Sequence, residues 1–119
     1  LDVDRMRTGA AYLLGEHDFA GFCCIRTNAK STVRTIYQLD VKQNGDEVVI
    51  HVEGNGFLYN MVRIIAGVLI RVGRGYYEPE KVKELLDGKE RTKEAITAPP
   101  QGLFLVEIQY ESEEQSQAE

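Results

Sequence analysis

The chain has 119 residues, enough for one domain that buries about two-thirds of the surface its unfolded form exposes. A composition of 43% hydrophobic and 28% charged residues excludes a natively disordered chain. Arg63 and Arg71 interrupt the most apolar segment well short of the ~18 residues a membrane helix needs, so no membrane partner is expected.

Residues 4–14 (DRMRTGAAYLL) place apolar side chains at 6, 10, 13 and 14, which predicts a helix ending at Gly15. The stretch EHDFAGFCCI that follows has no clean period and reads as a turn of helix and a loop. Residues 33–41 (VRTIYQLDV) alternate, with Val33, Thr35, Tyr37, Leu39 and Val41 on one face and Arg34, Ile36, Gln38 and Asp40 on the other. Residues 46–53 (DEVVIHVE) are a second strand. The intervening KQNG contains Asn44-Gly45, a strong hairpin signal, so the two strands pair antiparallel.

Gly54-Asn55-Gly56 ends the second strand, and residues 59–72 then run at helical period. Met61, Ile64, Ile65, Val68, Leu69 and Val72 form a broad apolar stripe, flanked by Val62, Ala66 and Ile70. Such a helix is buried on most sides. Its β-branched content lowers intrinsic propensity, so packing has to hold it. Gly73 and Gly75 close it, Pro79 opens a third helix over 79–86, and residues 103–110 (LFLVEIQY) are a last strand. The order α-β-β-α-α-β predicts an α+β domain over 1–110, a mostly antiparallel sheet with helices on one face. Residues 111–119 carry four acids and no base and read as a disordered tail.

The net charge of −5 argues against a nucleic-acid partner, but its distribution does not. Without the tail, 14 bases face 15 acids. Residues 19–39 contain Arg26, Lys30 and Arg34 and no acid, and residues 54–77 contain Arg63, Arg71 and Arg74 and no acid. Six acids gather between Glu78 and Glu94. One basic face with an acidic back would give this pattern, and so would an unevenly charged solvated surface.

On the long helix, residues 63, 67 and 71 lie four apart and share a strip: Arg63, Gly67, Arg71. Gly67 either admits a neighbouring backbone or leaves a gap between two guanidiniums. Arg63 sits beside the glycine loop against an apolar wall, and a partly buried arginine needs a carboxylate or phosphate. The local sequence offers no acid, so the partner comes from another strand, another chain or a ligand, unless Arg63 simply reaches to water.

Other chemistries fail on spacing. Gly54-x-Gly56 starts like a dinucleotide fingerprint, but Tyr59 occupies the third glycine position. Adjacent Cys23 and Cys24 match no metal motif and read as reduced cytosolic cysteines packed as small hydrophobes, and His17 and His51 stand apart. No metal is expected, and no residue stands out as a nucleophile. Nothing at the N-terminus reads as a signal peptide, and the start at Leu1 rather than methionine predicts a piece of a longer chain.

GFLYNMVRIIAG at 56–67, GRG at 73–75 and APPQGLFLVEIQY at 98–110 resemble the C-terminal half of a TruA-type tRNA pseudouridine synthase, and HDFAGF at 17–22 and VRTIY at 33–37 match the same family. The resemblance implies two related α/β halves with joined sheets and a cleft between them. It implies an isomerase that converts uridine to pseudouridine in the tRNA anticodon stem-loop, at positions 38–40, with no cofactor, in the cytoplasm and as a homodimer. The family's catalytic aspartate lies in a Gly-Arg-Thr-Asp motif of the N-terminal half, and this sequence has neither that motif nor the active-site tyrosine of that half. The chain alone is therefore expected to be inactive, with the N-terminal half of its parent as its partner.

By the same resemblance Arg63 pairs with the absent aspartate, Leu103 lies against the target uracil, and Phe57 and Leu58 help wall the pocket. Arg7, Arg26, Lys30, Arg34, Arg71 and Arg74 are candidates for RNA backbone contact. For Leu103 an ordinary core position, and for Arg71 and Arg74 a solvated helix end, remain open. A free-standing RNA-binding module and a non-RNA oligomerisation domain, both without catalysis, are the alternatives.

Overall fold

The computed structural model describes residues 1–23, 31–58, 60–89 and 91–98, and the backbone of 104–110. The acidic tail lies outside them, as do Arg26, Lys30 and Leu103. Four strands form one sheet in which spatial order follows chain order, and three helices accompany it, an α+β arrangement as the sequence predicts.

Helix α1 spans Val3–Ala11, and the Asp2 carboxylate accepts from the Arg5 amide at its start. It ends earlier than its apolar periodicity implies. The chain leaves the helix at Tyr12, and Gly15, at φ 95°, turns it into β1 (Gly15–Asp18). The expected turn of helix shrinks to a 3₁₀ turn at Ala20–Phe22. A four-residue strand is too short to declare a period of two. It exists because β2 (Val33–Asn44) offers a pairing edge, with Gly15 opposite Ile36 and Asp18 opposite Val33.

Strand β2 spans Val33–Asn44 and β3 spans Glu47–Gly54, antiparallel, with Asn44 opposite Glu47. Their loop is Gly45-Asp46. Only Gly45 has positive φ, 65°, as in a type II′ turn. The expected alternation along β2 does not survive intact. A register shift between Ile36 and Gln38 inserts one residue, and parity reverses across it. Ile36 therefore points into the core with Leu39 and Val41, while Val33 and Tyr37, expected on the same face as Leu39, are 43% and 51% exposed.

Helix α2 spans Met61–Gly73 and α3 spans Glu80–Gly88. Together they form the crossover that lets β4 (Phe104–Tyr110) lie parallel to β3, with Val48 opposite Phe104 and Gly54 opposite Tyr110. All the predicted apolar stripe of α2 is buried, and Val62, Ala66 and Gly67 with it. The core joins that helix to Ile50 and Val52 of β3, Ile36 and Val41 of β2, and Phe19 and Phe22.

Close packing sets where α1 crosses α2. A Cβ on Gly73 would lie 2.8 Å from Met6 Cγ and Sδ, so glycine is what allows Met6 to seat there. The C-terminus of α2 closes as a Schellman motif: the Tyr76 amide donates to Arg71 O, and the amide of Gly75, at φ 84°, donates to Val72 O. Arg5 adds its guanidinium, donating to Val72 O at 3.0 Å and Tyr77 O at 2.8 Å.

Candidate functional site

The segment before α2 is latched to β2. Asn55 donates its amide to Thr35 O and accepts the Thr35 amide on Oδ1 at 2.9 Å, which extends the ladder through a side chain. Gly54 fits against this contact, since a Cβ there would lie 2.7 Å from Thr35 O. Phe57 and Leu58 follow, 2% and 1% exposed, and both sit in the core at the entry to α2. Asn60, at φ 62°, turns the chain into the helix.

Gly67 resolves the strip it shares with Arg63 and Arg71. A Cβ on Gly67 would lie 2.2 Å from Ile96 O and 2.9 Å from Ala98 N, so backbone occupies the space where a side chain would stand. Residues 96–98 thus cross α2 between the two arginines. Of the two readings of Gly67, the close backbone approach is the one observed.

Arg63 holds one side of the crossing. The Ala98 amide donates to Arg63 O at 2.9 Å, and the Arg63 guanidinium donates from Nη2 to Ala98 O at 2.8 Å. Arg63 itself is exposed, where the sequence implied an apolar wall around it. The reason is its place on the outer strip of a helix whose other faces take the core. Its guanidinium does not run out into solvent but turns back to the segment that leads toward β4. Among the described residues no carboxylate forms an ion pair with it.

On the other side of the crossing, Arg71 lies over the Tyr76 ring at 5.4 Å, and Arg74 is exposed in the same capping turn. The remaining described candidates sit elsewhere. Arg7 donates to Val41 O and pairs with Asp4 at 3.1 Å, and Arg34 donates to Ser31 O and Val33 O at the start of β2. The fold therefore brings Arg63 and Arg71 onto α2 with Arg74 at its C-cap, and leaves Arg7 and Arg34 on α1 and β2. Cys23 is buried as a small hydrophobe, its thiol near Ala20 O. Cys24 lies outside the described residues.

Arg91 is the residue that periodicity and motif could not bring forward. It sits in the mixed-charge stretch KERTKE at 89–94, where no motif sets it apart, yet its guanidinium donates to Ala95 O at 2.6 Å, to Thr97 Oγ1 at 3.2 Å and to Cys23 O at 3.5 Å. No sequence signal identifies backbone carbonyls as its partners.

A mixed four-stranded sheet under a helix layer, with one arginine of its central helix held against the approach to the last strand, defines an α+β domain with an arginine site at its surface. The family model described as tRNA pseudouridine synthase matches residues 10–111. The chain is 50% identical over 110 residues to a tRNA pseudouridine synthase A of Brevibacillus brevis, covering 92% of this chain and 45% of that protein. It is 48% identical over 110 residues to a tRNA pseudouridine synthase A of Thermoanaerobacter sp., again covering 92% and 45%, and 44% identical over 110 residues to one of Exiguobacterium sibiricum, covering 92% and 44%. The chain belongs to the TruA-type tRNA pseudouridine synthase family. It spans less than half the length of these curated relatives.

Proposed function

We propose that this chain is the C-terminal half of a tRNA pseudouridine synthase, with residues 1–110 as its domain and 111–119 as an acidic tail, and that it supplies Arg63 to a site whose reactive aspartate lies on the N-terminal half. The parent isomerises uridine in the anticodon stem-loop without metal or cofactor, as a cytoplasmic homodimer, and the present chain is inactive alone. The observation that carries this reading is the pose of Arg63. One guanidinium nitrogen is anchored on Ala98 O, and among the described residues no acid engages the rest. Guanidinium carries five N–H donors in a fixed fork, so a second partner can be accepted without breaking the first.

The chemistry needs such a group. Isomerisation breaks the C1′–N1 bond, turns the base and joins C5 to C1′. An aspartate acting at the sugar or the base must be ionised in apolar surroundings that would raise its pKa. A facing guanidinium opposes that, lowering a carboxylate pKa by about 1–3 units, and its planar fork fixes the carboxylate's orientation. Leu103 supplies an apolar surface on which the uracil turns, where hydrogen bonds would resist rotation. Phe57 and Leu58 support the pocket from behind, since both are buried at the entry to α2. Arg71 and Arg74, with Arg7, Arg26, Lys30 and Arg34, contact RNA phosphates. Those contacts offset the few kcal/mol needed to extrude the target nucleotide.

Forming the C5–C1′ bond expels the C5 hydrogen, so tritium release from tRNA labelled at uridine C5 reads turnover directly. Arg63→Ala in the full-length parent is expected to reduce release about 100-fold or more, the equivalent of breaking a desolvated ion pair, while tRNA affinity stays close to wild type. Wild-type turnover in that variant removes Arg63 from the mechanism.

A further inference from the structure

We infer that Arg91 and Gly67 are positioning residues for Arg63, acting through the carbonyl of Ala98. This rests on the reading of Arg63 as the partner of the aspartate. Residues 91–98 form neither helix nor strand, yet hydrogen bonds hold them at several points along the run. Arg91 bridges the run internally through Ala95 O and Thr97 Oγ1, and reaches Cys23 O at the end of the 3₁₀ turn. Glu94 is held by Lys81 Nζ at 2.8 Å on its carboxylate and by the Tyr77 hydroxyl at 2.9 Å on its carbonyl. Ala95 and Ala98 are buried, and the missing side chain of Gly67 lets Ile96 and Ala98 lie directly on α2.

The run ends on the two hydrogen bonds between Ala98 and Arg63, so it acts as a strap that sets the height and direction of one carbonyl. Arg63 is exposed and its side chain is long, so without that acceptor the guanidinium would sample many rotamers. A bidentate grip on a carboxylate needs one orientation. Arg91 is suited to this task by shape rather than by charge. All three of its acceptors are neutral, and among the described residues it enters no ion pair. A lysine there would keep the charge and lose the fork.

The test uses the full-length parent with Arg91→Ala, Arg91→Lys, Gly67→Ala and, in parallel, Arg63→Ala. The expected result is a loss of tenfold or more in kcat for both Arg91 variants, with KM for tRNA within threefold of wild type. The acid limb of the kcat–pH profile should move up by about one unit, because a disordered guanidinium no longer holds the aspartate pKa down. A merely structural role would lower the amount of active enzyme and leave the limb in place, so an unmoved limb overturns the inference whatever the amplitude. Should Arg91→Ala yield too little folded enzyme, Arg91→Lys and Thr97→Val carry the same comparison. Wild-type kcat in these variants beside an inactive Arg63→Ala overturns only the strap. Wild-type kcat in Arg63→Ala overturns the proposed function with it.

Discussion

Arg63 and Ala98 bind each other twice: the Ala98 amide donates to the Arg63 carbonyl at 2.9 Å, and the Ala98 carbonyl receives the Arg63 guanidinium at 2.8 Å. One residue of an irregular segment thus fixes both the main chain and the side chain of one residue of a buried helix. The contact is short on both sides because Gly67, one turn further along, offers no side chain to hold the segment away.

Arg63→Lys separates charge from shape. Lysine keeps a positive charge near the proposed aspartate but cannot anchor on Ala98 O and grip a carboxylate with two parallel bonds. Turnover of the full-length enzyme is expected to lie between wild type and Arg63→Ala, at least tenfold below wild type. Tritium release under single-turnover conditions measures it, and full activity in the lysine variant would show that charge alone suffices.

Two glycine-to-alanine changes are expected to have opposite signs. At Gly67 alanine has the better helix propensity by up to ~1 kcal/mol, but its Cβ would stand 2.2 Å from Ile96 O, which is backbone and cannot swing aside. Overpacking of this kind destabilises by about 1–3 kcal/mol. Gly88, at the end of α3, has no positive φ, and a Cβ there would meet no described atom within 4 Å. Alanine at that position is expected to be neutral or to stabilise by up to ~1 kcal/mol. Urea unfolding midpoints of the two variants decide both signs, and a stabilised Gly67→Ala would contradict the crossing.

Arg71 and Arg74 are expected to act on tRNA through phosphate charge. In the full-length enzyme, replacing both with alanine should weaken binding of an anticodon stem-loop and reduce the slope of log K against log salt by roughly 1–2. Affinity measured over a salt series checks this. An unchanged slope would leave the two as a solvated helix end, with Arg71 occupied by the Tyr76 ring.

Self-association of the isolated chain is expected from its sheet. Strands β1 and β4 are the two edges, and Val33 and Tyr37 present apolar surface on β2. An open strand edge and exposed apolar side chains both favour pairing with another copy. Sedimentation equilibrium over a range of concentrations should show dimers or larger species, and a clean monomer at the highest concentration would count against it.

The elements carried by long, regular patterns were legible from residues alone. The stripe from Met61 to Val72 could be nothing but a core helix. Asn44-Gly45 between two β-rich runs announced the hairpin, and Gly67 on the strip of Arg63 and Arg71 marked a special position without saying whether backbone or a gap would fill it. Local signals of this kind are written in neighbours three, four or two residues apart, so the chain itself determines them. β1 was not legible, because four residues form a strand only when β2 supplies an edge. The bulge after Ile36 was not either, since the parity of a strand is decided by what the sheet and helices bury together.

The sequence by itself determined the helix, the hairpin and the family motifs, and with them the choice of Arg63. Only the tertiary structure decided what Arg63 touches, that Ile96 to Ala98 pass over Gly67, and that Arg91 grips the strap. Those relationships join residues far apart in the chain through backbone carbonyls. Every residue carries a carbonyl, so no side-chain pattern can mark which one an arginine will find.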